Sequence, residues 1–453
     1  MEIDIGEWGL SRRDQRLWLD GHDLTGLAER FGTPVHVVSA SRLRARADEV
    51  LGAFTKYPGS AHIHFSYKTN SVAGVLRVLH DAGFGAEVVN GYELHLARRL
   101  GVPGDRIVFN GPNKTDAELH AAIDAGVGLL VVDHLEELTR VQSLARRSEQ
   151  RVRIGLRVCP DISPRHMNAS SLTGSRRNQF GLDLPGDEYS TALGRVASSD
   201  ELELRGVMAH IGSGIHDLKS FERTVQTLLD LHVAAFDAGC SPDLIDIGGG
   251  LGTRLSRELT TFELLAYLGV ARLPRLGRPG PMDLWARYAE AVCCAMVDGC
   301  ERRGIALPDL VLEPGRAIVS DAQVLLLSVG AVRERPGAGH FALTDGGAMT
   351  VSMMFLSEVH AVLLANRIGS GSQRVDVFGA LPSPMDVVYR NLDLPPLRVG
   401  DVLAVMDAGA YFTATSTNFG GPRPGVLLID GDEVRWTRRP ESYDDLLAVE
   451  LDA

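Results

Sequence analysis

Lys68 closes the apolar segment His64-Phe65-Ser66-Tyr67 and is one of only four lysines in the chain, the others being Lys56, Lys114 and Lys219. Where positive charge is otherwise carried by arginine, a lysine at a strand end points to chemistry that needs an amine able to lose its proton. Arginine forms no Schiff base with a carbonyl. Alone, such a lysine is more often a solvated boundary residue, but three further motifs add weight to it. His210-Ile211-Gly212-Ser213, Asp246-Ile247-Gly248-Gly249-Gly250-Leu251-Gly252 and Glu313-Pro314-Gly315-Arg316 each follow a short run rich in Val, Ile or Leu. The glycines let backbone N–H groups approach an anion with no side chain in the way. A glycine triplet is by itself more often a turn, and this one lacks the G-x-G-x-x-G spacing of a dinucleotide site.

These residues need a scaffold that gathers strand ends. Apolar, β-branched segments recur at residues 62–67, 85–89, 106–109, 129–132, 153–158, 205–209, 244–247 and 310–312. Between them, stretches such as 72–82, 91–100, 115–125 and 221–238 carry apolar residues at three- and four-residue spacing, as amphipathic helices do. Eight such units predict a closed (β/α)₈ barrel, whose active face is formed by the strand C-termini. Lys68, Asn90, Asn110, His210, Gly248 and Glu313 all fall at or just after those ends. Beyond about Ile318 the pattern changes to short strands with Gly and Pro turns (323–333, 341–344, 375–378, 401–406, 425–429), which reads as an all-β domain. The expected division is a barrel over 34–317 and a β domain built from 318–453 together with 1–33, with residues 8–19 adding a strand to it. Residues 255–284, rich in Arg, Pro and Gly, look like an insertion between a barrel strand and its helix: a lid, a dimer contact or a plain surface excursion.

The order and spacing of the motifs resemble the fold-type III pyridoxal 5'-phosphate (PLP) decarboxylases, the diaminopimelate, ornithine and arginine decarboxylase family. Such catalysis asks a protein for an amine to hold the cofactor, a phosphate cradle, a partner for the pyridine nitrogen and control of the ring faces. Lys68 would be the amine, Gly248, Gly249 and Gly250 the cradle, and Glu313 the carboxylate that keeps the ring nitrogen protonated. The resemblance implies that His210 stacks on the ring and that Ser213, Gly315, Arg316 and Tyr411 contact the cofactor. It also places Asn90 at a cofactor-binding position where serine is common in the family. Arg157-Val-Cys-Pro-Asp161, His166, Thr173-Gly174 and Asn178-Gln-Phe-Gly181 resemble the family's segment that closes over cofactor and substrate, so the likeness covers nearly the whole chain.

One family motif is broken. Where the family carries Gly-Pro-x-Cys-x-x-x-Asp, contributed across a dimer interface, this chain reads Gly379-Ala380-Leu381-Pro382-Ser383-Pro384-Met385-Asp386. Proline at the cysteine position has neither an acidic side chain nor an N–H and delivers no proton. Ser383 stands where diaminopimelate decarboxylases have glutamate, so meso-diaminopimelate is not the expected substrate. Asp386 is expected to hold a substrate amine or orient a neighbour, with capping of the next turn the rival reading. Ser383, Tyr411, His210 and water are the candidates for the replacement acid.

The expected function is PLP-dependent decarboxylation of an amino acid, or of a modified or carrier-tethered one, in specialised metabolism. The alternatives are racemisation, transamination or decarboxylative condensation from the same carbanion, and a catalytically silent binding protein. Glu313 disfavours racemisation, because the pyridine nitrogen of alanine racemases faces an arginine; Lys68 disfavours the silent protein. The resemblance implies a homodimer with shared active sites. A formal charge of −12 argues against nucleic-acid binding. Five cysteines without a CxxC pair suggest neither a disulfide framework nor a zinc site. With no long apolar stretch, a cytoplasmic location is expected.

Overall fold

In the computed structural model, which describes residues 4–452, eight parallel strands close into a barrel. Their order is Ala61–Ser66, Gly85–Val88, Ile107–Phe109, Leu129–Val132, Val152–Cys159, Leu202–Met208, Leu244–Asp246 and Asp309–Leu312, with the last paired to the first. All eight coincide with the segments expected from sequence. Buried on both faces, such strands read as near-continuous apolar runs, as in Leu129-Leu-Val-Val132. Val108, Leu129, Val131, Met208, Leu244 and Val311 form a separate apolar cluster inside the barrel. Above it lie the C-terminal ends of the strands.

The amphipathic helices bury their apolar stripes against the outside of the barrel, and local chemistry fixes where they start. Thr115 and Glu118 form a reciprocal capping box before Asp116–Ala125. Among the described residues, no helix is long and apolar enough to cross a membrane.

The second unit is a mainly antiparallel sheet running from Val387–Leu394 through Gln373–Phe378, Gly339–Thr344, Gln323–Arg335 and Val35–Ser39 to Gly425–Asp430 and Glu433–Arg438. Val35–Ser39, expected in the barrel, is instead paired with Gln323–Arg335 and Gly425–Asp430. Its sequence, Val-His-Val-Val-Ser, is buried throughout and suits a central strand. The N-terminal strands, Leu10–Arg13 and Arg16–Leu19, are not added to that sheet. With His22–Asp23 they form a sheet of their own, tied on by the Leu17 N–H donating to the Ala365 carbonyl and by a shared core of Trp8, Leu17, Val37, Leu326 and Leu427. Residues 1–3 and 453 of the expected ranges lie outside the described residues.

The 255–284 stretch is more than a surface excursion. Arg257–Glu258 pairs antiparallel with Glu358–Val359 of the β region, and a capped helix, Thr261–Val270, follows. The insertion thus stitches barrel to sheet at the open face of the barrel.

Candidate active site

A cavity of ≈ 590 Å³ opens at the C-terminal face of the barrel; its walls include Lys68, Glu87, Asn110, Arg157, His210, Ser213, Glu313, Arg316 and Tyr411. All but Tyr411 lie on barrel strands or just after their ends. Met354, Ser357 and Glu358 close it from the β region, and Glu258 from the insertion.

Lys68 reaches into the cavity on a single 3-10 turn after the first strand, its side chain 37% exposed, and Nζ donates to Glu87 Oε2 at 2.8 Å. Burial pulls the lysine pKa down, but Glu87, Glu313 and Tyr411 outweigh it and hold the ammonium above its ordinary value. Glu87 is wholly buried and accepts from Ser66 Oγ as well as Lys68; these partners hold its carboxyl below the usual range against the cost of burial. Asn110 Nδ2 then bridges two carboxylates, donating to Glu87 Oε1 at 3.1 Å and to Glu313 Oε1 at 2.6 Å.

Glu313 behaves in the opposite way from Glu87. Burial first, then the neighbouring Asp246 and Glu87 carboxylates, push it well above its ordinary value. Asp246 is itself pushed up to about 7 by burial. The result is a buried trio in which Glu87 is the anion paired with Lys68 and Glu313 holds a proton. His210 is kept neutral by burial, Lys68 and Arg157.

The glycine turn is shaped by its own neighbours. The Gly248 N–H donates to Asp246 Oδ1 at 2.8 Å, and the Gly249 N–H to His210 Nδ1 at 3.2 Å. Gly250 has φ +103°, where a side chain is strained. A Cβ on Gly249 would lie 2.2 Å from the Glu313 carbonyl oxygen. Gly249→Ala is therefore expected to destabilise the apo protein by about 1–3 kcal/mol, the usual penalty of overpacking. An unchanged urea midpoint would show that the turn can give way.

Arg316 and Tyr411 meet at the edge of the cavity, the guanidinium 5.0 Å from the ring centroid. Arg316 Nε donates to Ser213 Oγ at 3.0 Å, Nη1 to Glu358 at 2.7 Å and Nη2 to Glu258 at 3.1 Å. Arg157 lies over the Phe180 ring and pairs with Asp133 at 3.3 Å behind the cavity wall.

Three expected site residues stand elsewhere. Asn90 is exposed and caps Gly91–Arg99, its Oδ1 accepting from the Glu93 N–H at 2.9 Å, and it does not line the cavity. Asp386 is wholly buried in its own loop, where its carboxylate accepts from the Met349 and Leu381 N–H groups, both at 3.0 Å. Each oxygen accepts a backbone N–H, which fits the turn-organising reading of Asp386. Ser383 accepts from the Met385 N–H, and the Pro382–Met385 tip is largely exposed. Conversely, the sequence reading gave no site role to Glu87, Asn110, Glu258 or Glu358. Glu87 and Asn110 were detectable as polar residues at strand ends, whereas nothing local marks Glu258 or Glu358.

This donor set suits PLP. It supplies an amine at the cavity floor, a protonated buried acid with an amide beside it for a ring nitrogen, a neutral imidazole wall, and a glycine turn beside Ser213 and Tyr411 for a phosphate. The buried Asn110 Oδ1, without a partner, marks where polar capacity is left over.

Comparison with known proteins agrees. Residues 41–320 match the family described as "Pyridoxal-dependent decarboxylase, pyridoxal binding domain". The diaminopimelate decarboxylase of Archaeoglobus fulgidus is 32% identical over 96% of this chain and 97% of its own length. That of Actinosynnema pretiosum subsp. auranticum is 32% identical over 99% and 96%. The solved structure of the Methanocaldococcus jannaschii diaminopimelate decarboxylase superposes with a TM-score of 0.86 at 28% identity, covering 99% of each chain.

Proposed function

This chain belongs to the pyridoxal-dependent decarboxylases, and we propose that within that family it removes the α-carboxylate of an amino acid other than meso-diaminopimelate. It is a PLP-dependent carboxy-lyase; substrate and residue roles are our reading. PLP supplies a carbonyl for condensation with amines and a pyridinium that absorbs the electron pair left when carbon dioxide departs.

The chain's own residues divide the remaining work. Lys68 would hold the cofactor through its amine, with Glu87 orienting Nζ and taking up its charge. Glu313, presented by Asn110, would keep a proton at the ring nitrogen. His210, kept neutral, would line the ring's site without adding charge to it. The turn 248–250, with Ser213 and Tyr411, would hold the phosphate.

The substrate reading is carried by the 379–386 loop. Pro382 and Ser383 offer neither the thiol nor the carboxylate that the diaminopimelate pattern has there. The exposed Pro382, Pro384 and Met385 also support the homodimer, as a loop shaped to be covered by a second copy.

The test is mass spectrometry of the PLP-loaded protein in deuterated water with a panel of amino acids including meso-diaminopimelate. Loss of carbon dioxide with one deuterium fixed at Cα is expected for a panel member other than meso-diaminopimelate. Turnover of meso-diaminopimelate above all others would overturn the substrate reading, and deuterium uptake with the carboxylate retained would overturn decarboxylation.

A further inference from the structure

Glu258 and Glu358 are direct cross-strand partners in the two-residue ladder that ties the insertion to the β region. Like charges so placed repel. Arg316 lies between them, Nη1 on Glu358 and Nη2 on Glu258, with all three side chains largely buried at 7%, 2% and 13% exposure. Its charge is thus used to hold the ladder closed. A ligand that drew Arg316 away would leave two facing carboxylates in a poorly hydrated wall, with His360 Nε2, 3.1 Å from Glu358, and the Ser171 hydroxyl as their remaining partners.

The rest of the cavity offers no substitute cation. Lys68 is committed to Glu87, and Arg157 to Asp133. Around Arg316 stand Glu258 and Glu358, so that part of the wall carries two carboxylates to one guanidinium. Glu258 also takes a side-chain hydrogen bond from the Ser171 hydroxyl.

We infer that Glu258 is a specificity-determining residue: by closing Arg316 it rejects substrates with a carboxylate at the distal end and admits those whose distal end is uncharged or a hydrogen-bond donor. The inference rests on the decarboxylase reading. It deepens that reading by locating, outside the 379–386 loop, a second reason why a dicarboxylic substrate is refused. It also gives residues 255–284 a role, since Glu258 reaches the cavity only because that segment is laid along Glu358–Val359.

The experiment uses the PLP-loaded protein and straight-chain primary amines of four to six carbons carrying a distal methyl, ammonium or carboxylate group. Binding is followed by the cofactor's absorption band and by calorimetry. The wild type is expected to bind the carboxylate series at least about 10-fold more weakly than the ammonium series, the scale of a charge-assisted hydrogen bond gained or lost. In Glu258→Gln the carboxylate series should gain about 10-fold and the ammonium series lose a similar factor, with the methyl series unmoved. Glu258→Ala, checked for native circular dichroism, should shift the preference in the same direction. A parallel loss across all three series would reduce Glu258 to a structural strut and overturn the inference. So would a wild type that prefers the carboxylates. If no amine perturbs the cofactor band, the decarboxylase reading itself fails and takes the inference with it, an outcome distinct from a wrong order of preference.

Discussion

Lys68→Arg is expected to abolish decarboxylation while leaving the apo fold as stable as the wild type. Arginine keeps a positive charge beside Glu87, whose side chain is 0% exposed and depends on that charge. It forms no Schiff base. The activity loss should be on the order of 10³-fold or more, as expected when a residue that carries the chemistry is removed. The visible absorption of the lysine-bound cofactor should disappear with it. Lys68→Ala should lose as much activity and also some stability, because Glu87 is left buried with only Ser66 and Asn110 as donors. The extra cost is roughly 1–2 kcal/mol, discounted because Lys68 is partly exposed to the cavity. The two variants therefore separate nucleophile from counter-ion. Activity within about 10-fold of wild type in Lys68→Arg would mean that the reaction does not pass through this amine.

Lys68, the glycine turn and Glu313 were legible in the sequence because a parallel barrel makes position along the chain a proxy for position in space. Each apolar run ends on the same face, so a polar residue just after a run points toward a common centre. The eight strands were found for a related reason: buried on both faces, they cannot tolerate polar interruption, and Leu129-Leu-Val-Val132 is unmistakable. The same logic failed for Val35–Ser39, which is as apolar as any barrel strand but pairs with Gln323–Arg335 and Gly425–Asp430. Composition reports burial and not the identity of the neighbour.

Asn90 and Asp386 stand outside the cavity for a different reason. Both residue types have two common uses, ligand contact and satisfaction of backbone N–H groups, and the second decides here. Asn90 caps a helix, and Asp386 binds the Met349 N–H, nearly forty positions away in the chain. The Glu258–Arg316–Glu358 clamp was beyond sequence reasoning altogether. Its members come from an insertion, the end of the barrel and the β region, and only the fold brings them together. Arg316 lines the cavity, as a cofactor-contact residue should, and the clamp adds a second use of its charge that the sequence does not reveal.

Glu313→Gln is expected to separate catalysis from stability in opposite directions. Catalysis should fall by about 10²–10³-fold, the range for removing one preorganised electrostatic partner of the developing charge, because glutamine cannot hold a proton at the ring nitrogen by its own negative charge. Stability of the apo protein should rise at neutral and alkaline pH. The folded-state pKa of Glu313 lies above its unfolded value, through burial and the Asp246 and Glu87 carboxylates. Its stabilising contribution is therefore complete below the unfolded pKa and is lost as pH rises toward the folded one; Asp246, at about 7, adds in the same sense. Glutamine has no proton to lose, so the Glu313 share of that decline vanishes. Its amide can still accept from Asn110 and turn its N–H toward Asp246, keeping the hydrogen bond that Glu313 makes there. Thermal unfolding of both apo proteins from pH 5 to pH 9 should show melting temperatures that diverge as pH rises, by about 1 °C per kcal/mol at this chain length. Parallel pH profiles would mean that Glu313 is already ionised before cofactor binds. A kcat within about 5-fold of wild type would instead remove the ring-nitrogen role on which the assignment of Glu313 depends.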